Sequence, residues 1–253
     1  MSVLVRQEGE TAWITLARPE RRNALAEDML QALLDALEQV RSTKATGIVL
    51  AAQGPVFCSG HDFADVHGRD LASSRELLQL CTSVMRALQT GPQVVVARVH
   101  GLATAAGCQL VASCDLAVAG ESAGFALPGG KGGWFCHTPA VAVARNISRK
   151  HLMEMALTGD VIDAQTAAQW GLVNYTVPDG ELDAAVKELL ARATRGSRSS
   201  KALGKQTLRA QLDRPEDDAY ALAIEVMAAA SQTVDAVEGR DAFLEKRRPV
   251  WQD

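Results

Sequence analysis

The chain has 253 residues, 47% hydrophobic and 22% charged, a balance that supports one large core or a core with an appendage. A formal charge of −4 argues against a nucleic-acid partner, because duplex binding rests on phosphate neutralisation by clustered Lys and Arg. No apolar stretch approaches the ~20 residues that a bilayer core requires.

The first elements are strands. VLVRQEG (3–9) and AWITLA (12–17) alternate around a Gly-containing turn, leaving no room for a signal or transit peptide. EDMLQALLDALEQVR (27–41) puts Leu30, Leu33, Leu34, Leu37 and Val40 on one stripe and is predicted helical. A buried strand GIVLA (47–51), a Gly-Pro break, a helix over about 74–90 and the strand VVVARV (94–99) follow. The short strand LAVA (116–119) comes after Asp115, and the Gly-rich loop LPGGKGGWF (127–135) precedes TPAVAVAR (138–145). Thr138 is the expected N-cap there and Pro139 the first helical residue.

From about residue 181 strand signals vanish, and Ala-rich helical periodicity runs to FLEKRRP (243–249). With few bulky residues, this tail is expected to pack on the body, on a sister subunit, or on both. RGSRSSK (195–201) is the expected flexible joint, dividing a body over 1–195 from a helical tail over 196–253. No internal repeat is evident. Five cysteines (58, 81, 108, 114 and 136) lie in hydrophobic settings without a CxxC pair, which fits reduced thiols in a cytoplasmic protein.

Two stretches can present backbone N–H groups unobstructed by side chains. In CSGHDF (58–63) a Gly follows a strand and a turn; in GLATAAGC (101–108) small residues run into a helix N-terminus. Two such donors aimed at one oxygen form an oxyanion hole, each worth ~2.7–4 kcal/mol of transition-state stabilisation. The same small residues would also serve close packing of a helix on a sheet. Other chemistries find no support. The histidines of HDFADVH (61–67) fall on different helical faces, so no metal site is expected. GGKGG (129–133) lacks the frame of a nucleoside triphosphate loop, and neither GxGxxG nor GxSxG occurs.

RPERRNAL (18–25), FCSGHDF (57–63), HGLATAAGCQLVASCDLAVA (100–119), FALP (125–128), MALTGDVIDAQTAAQWGLVNYTVP (155–178) and FLEKRRP (243–249) together resemble the enoyl-CoA hydratase/isomerase, or crotonase, superfamily. GLATAAGCQLVASCD and GGKGGWFCHTP are most similar to its branch called enoyl-CoA hydratase domain-containing protein 3. The resemblance implies an α/β crotonase (ClpP/crotonase-like) fold: a spiral of ββα units with a C-terminal helical region that assembles trimers or dimers of trimers. It implies a lyase or isomerase acting on an acyl thioester of coenzyme A, with no prosthetic group.

Carried over by motif, the thioester oxygen would meet the backbone N–H groups of His61, just after Ser59-Gly60, and Ala106. The backbone around Asn23, Ala24 and Leu25 and residues near Asp62 would hold the adenine end, while Arg18, Arg21, Arg22 and tail residues such as Lys246 would be the candidates for phosphates. The family's hydratases carry two glutamates, at positions that here hold Gln109 and Gly129. An amide cannot exchange a proton near neutral pH and glycine offers no group, so two-glutamate hydration is not available. The offset of His137 from the Gly-rich loop matches an Asp of dienoyl-CoA isomerases and a dehalogenase, making His137 the candidate base and Gln109 a candidate orienter of water. A protein that binds acyl-CoA without turning it over is the alternative expectation.

Overall fold

The structure, a computed structural model, describes residues 2–252. It opens with an antiparallel hairpin, β1 (Val3–Glu8) and β2 (Thr11–Leu16), turned at Gly9. The helix α1 (Glu27–Arg41) buries Met29, Leu30, Leu33, Ala36, Leu37 and Val40, the stripe its spacing predicts.

Three strand-strand-helix turns follow. The first is β3 (Gly47–Ala52) and β4 (Val56–Cys58) with a short α2 (Phe63–Val66) and a long α3 (Leu71–Thr90). The second is β5 (Val94–Val99), β6 (Leu102–Thr104) and α4 (Ala106–Ser113). The third is β7 (Leu116–Gly120), β8 (Gly124–Ala126) and α5 (His137–Val143). The first strand of each turn enters a six-stranded sheet in the order β1-β2-β3-β5-β7 with β10 (Tyr175–Val177) at its edge. The second strand enters a four-stranded sheet, β4-β6-β8, closed by β9 (Ile162–Asp163). Strands advance in parallel by one position per turn, as a spiral requires. Between and beyond these strands lie α6 (Arg149–Thr158), α7 (Ala164–Trp170) and α8 (Leu182–Thr194). The tail is α9 (Arg198–Gln211), α10 (Glu216–Ala230) and α11 (Val234–Leu244).

The six-stranded sheet is covered on both faces, so its central strands read as unbroken apolar runs. Ile48 and Leu50 face the main core with α1, α3 and α4, whereas Val49 and Ala51 face Leu182, Val186, Leu189 and Leu190 of α8. Helix α9 is tied to the body by a buried ion pair: Lys205 Nζ lies 2.7 Å from Asp115 Oδ2 and donates to the Leu88 and Gln93 carbonyls at 2.8 Å. Arg209 completes the cluster, 3.0 Å from Asp115 Oδ1.

Three sequence expectations are corrected. Helix α3 begins at Leu71, a turn earlier than 74, because the Asp70 carboxylate accepts from the Ser73 N–H at 2.8 Å and caps it. Helix α5 begins at His137, not after Thr138: the Cys136 carbonyl accepts the first bond, from the Ala140 N–H at 3.0 Å. Pro139 still sits in the first turn, where its missing N–H costs nothing. The stretch 195–201 holds a helix start instead of a linker, with Ser197 Oγ accepting from the Ser200 N–H and Arg198 already helical.

Candidate active site

The site begins with a strained loop. Arg22 and Asn23 both take positive φ, 53° and 52°, a conformation in which Asn is among the more tolerated side chains. Asn23 is fully buried; its Oδ1 accepts from the Arg18 N–H and its Nδ2 donates to the Gln53 and Val56 carbonyls, each at 2.9 Å. Its side chain thus holds the loop in shape and faces no cavity. The loop is then zipped to the segment after β4. Ser59 N–H donates to the Arg22 carbonyl at 3.1 Å, Leu25 N–H to the Gly60 carbonyl at 2.7 Å, and Asp62 N–H to the Leu25 carbonyl at 3.4 Å. This parallel bridge engages the residues on either side of His61 and leaves the His61 N–H without a partner among the described residues.

A second free donor comes from α4. Ala106 is its first residue, so its N–H has no partner within the helix. Ala105 before it is held at φ 50°, ψ −119°, outside the regions an L-residue ordinarily occupies, by its N–H bond to the Ala126 carbonyl at 2.9 Å. Glycines let the two donor segments touch. A Cβ on Gly107 would lie 2.2 Å from the Cys58 carbonyl oxygen, so only glycine lets α4 seat on β4. Gly60, at φ 91°, leaves room for Ala105 Cβ 2.9 Å and Ala106 N 3.3 Å from where its own Cβ would stand. Close packing and donor presentation are here the same device.

His61 and Ala106 both line one cavity of about 610 Å³. Arg21, Arg22 and Asp62 form its polar end, where Arg21 Nη2 and Asp62 Oδ2 pair at 2.7 Å. Phe63, Trp134 and Phe135 form its apolar end. The His61 ring is buried against Trp134, with centroids 5.8 Å apart, and neither ring nitrogen has a hydrogen-bond partner among the described residues. Burial pushes its pKa below the usual 6.5, keeping the imidazole neutral. His137 is exposed and also lines the cavity, its ring 5.1 Å from that of Phe135. Cys136 also lines the cavity; burial pushes its thiol up, which suits a lining residue better than a nucleophile.

Of the residues expected from sequence, His61, Ala106, His137, Arg21, Arg22, Ala24, Ser59 and Asp62 meet in this cavity, with Gly60 directly behind. Asn23 and Leu25 are buried beneath the loop, and Arg18 turns away to pair with Asp28. Lys246 is exposed beyond α11 and does not line the cavity. Gln109 is also outside it: the side chain is buried in α4 and its Oε1 has no partner. Gly129 lies on the wall but has no room for a side chain, since a Cβ would stand 2.2 Å from the Trp134 carbonyl oxygen. Leu78 of α3 was not expected here, because an apolar residue on a helix stripe reads as core. Among the described residues no group of three His, Cys, Asp or Glu is placed to hold a metal ion.

A family model described as enoyl-CoA hydratase/isomerase matches residues 6–253. The mouse protein named enoyl-CoA hydratase domain-containing protein 3, mitochondrial, is 44% identical over 250 residues, spanning 97% of this chain and 83% of its own length. A crystal structure of enoyl-CoA hydratase from Mycobacterium smegmatis superposes with a TM-score of 0.96 at 41% identity, covering 100% of both chains. The human enoyl Coenzyme A hydratase domain-containing protein 3 superposes with a TM-score of 0.95 at 40% identity, over 99% of this chain and 100% of that one.

Proposed function

The chain belongs to the enoyl-CoA hydratase/isomerase family, and from that premise we propose that it binds an acyl thioester of coenzyme A in the cavity beside α4 and moves protons at the acyl carbons. The observation that carries this reading is the pair of unpartnered N–H groups, His61 and Ala106, that Gly60 brings to one wall. A thioester carbonyl accepting from both would gain most as its oxygen becomes negative in an enolate. The apolar end takes the acyl group, and the Arg21–Arg22 end takes the phosphates of the carrier.

In this reading the His137 imidazole removes a proton from the acyl chain, the enolate oxygen rests on the two N–H groups, and the same proton returns at another carbon. That sequence is a double-bond isomerisation and consumes nothing else. Hydration would need a water held and deprotonated by the same ring. The exposed apolar side chains of the tail, among them Leu212, Met227 and Phe243, support the trimer or dimer of trimers expected from the family. Five buried free thiols support a reducing, cytoplasmic setting.

A second reading, acyl-CoA binding without turnover, is favoured by the two glutamate positions, one buried out of the cavity and the other closed to any side chain. Turnover of 2-enoyl-, 3-enoyl- and dienoyl-CoA panels, with thioester binding measured in parallel, separates the two. Loss of general acid–base help costs about 10²–10⁴-fold, so His137→Ala should lose that much turnover while still binding. Tight binding with no turnover by the unaltered protein would establish the second reading.

A further inference from the structure

A second hollow, an open groove of about 780 Å³, adjoins the first along α2 and α3. The two share Phe63, Leu78, Gly132 and Trp134 in their walls, and the second continues over Val66 and Leu71. Trp134 stands at the junction. Its indole packs at a tilt on His61 from one side and on Phe63, 6.3 Å between ring centroids, from the other. It follows two glycines around which no atom lies within 4 Å of a built Cβ, one of them at φ 81°. Trp134, with Phe63, Leu78 and Gly132, therefore stands between the thioester cavity and a groove that is apolar along Val66, Leu71 and Leu78 and polar along His67, Arg69 and Arg75.

We propose that Trp134 is the partition that sets acyl-chain length. With the indole in place the acyl tail ends in the first cavity; with it removed, a longer tail runs on into the second, along Leu78 and Val66. This deepens the thioester reading above and rests on it.

The test is binding of butanoyl-CoA and dodecanoyl-CoA to the full chain and to Trp134→Ala, Trp134→Phe and Phe135→Ala, each checked by circular dichroism for native folding. Phe135 lines only the first cavity, so its truncation widens that space without joining the two. Each methylene newly buried is worth about fourfold in affinity. Trp134→Ala is therefore expected to shift the dodecanoyl-to-butanoyl preference by at least about tenfold, Trp134→Phe by less, and Phe135→Ala by the least. Butanoyl-CoA binding with an unchanged preference in both Trp134 variants overturns the partition and leaves the thioester reading standing. Failure of the unaltered protein and every variant to bind either thioester overturns that reading, and the partition with it.

Discussion

Replacing Gly129 by alanine asks whether the second glutamate position is closed by packing or merely holds a different residue. A Cβ there would stand 2.2 Å from the Trp134 carbonyl oxygen, 2.8 Å from Cys136 Sγ and 2.9 Å from Cys136 N. Two of these are backbone atoms in a segment pinned by the Trp134 N–H bond to the Gly129 carbonyl at 3.0 Å and the His137 N–H bond to the Phe135 carbonyl at 2.8 Å. Ordinary contact begins near 3.4 Å, so the segment must retreat by roughly an ångström or break those bonds. Overpacking of this kind costs about 1–3 kcal/mol, offset by ~0.4–1 kcal/mol because alanine narrows the unfolded ensemble. In a chain of this size each kcal/mol moves Tm by roughly 2–4 °C. Gly129→Ala should therefore melt lower, by up to roughly 10 °C, in differential scanning calorimetry. Gly132→Ala, where a Cβ meets nothing within 4 Å, should stay within about 1 °C. Gly129→Glu should fall at least as far as alanine and gain no hydration of 2-enoyl thioesters. Equal melting of the two alanine variants would falsify the packing account.

Three further outcomes follow from the same geometry. The folded His61 ring holds its pKa below 6.5, so on acidification the unfolded chain takes up a proton that the folded one refuses. Its contribution to stability is present above pH 6.5 and is lost as the pH falls through the lower folded value. Tm of His61→Gln should accordingly decline less steeply between about pH 7 and 5, and parallel curves would refute this. Gly60→Ala forces a side chain to φ 91°, 2.9 Å from Ala105 Cβ. Displacing the His61 donor should cut turnover, or thioester affinity if the protein only binds, by about 10²–10³-fold, and isothermal titration at unchanged affinity would count against the two-donor hole. Asn23→Ala strips partners from one N–H and two carbonyls and puts alanine at φ 52°. A loss of about 2–4 kcal/mol in urea unfolding is expected. A large loss of affinity without loss of stability would instead give Asn23 a ligand-binding role.

Long elements were legible in the sequence for a physical reason. Helix α1 and strands β3 and β5 carry their burial pattern within one element, as the Leu30–Leu33–Leu37 stripe and the runs GIVLA and VVVARV. The ββα spiral was legible through the family resemblance and not from residue patterning, because the second strand of each turn is only three residues long and pairs solely with strands from other turns. The glycines of CSGHDF and GLATAAGC pointed to free backbone donors, and His61 and Ala106, the residues that would carry them, line one cavity. Which flanking side chains line it depended on the third dimension: that the Asn23 side chain staples the loop from within was not legible. Lys246 looked like a phosphate partner and lies outside the cavity of its own chain.

Gln109 and Gly129 depart from the two-glutamate pattern for different reasons, and both departures push proton transfer to the same place. At 129 the backbone of Trp134–Cys136 fills the space a side chain would need. At 109 the space exists, but the side chain is buried in a helix whose every residue is buried and its Oε1 meets no donor. A glutamate there would be desolvated without a counter-charge, which raises a carboxyl's pKa and favours its neutral form. Restoring either acid alone therefore yields a strained loop or a protonated carboxyl, not a base. The imidazoles on the cavity wall are those of His61 and His137. His61 is boxed in under Trp134 with both nitrogens covered, whereas His137 is exposed at the mouth of α5. On the proposed reading His137 is therefore the first candidate for proton carrier, and His61 serves the hole through its backbone.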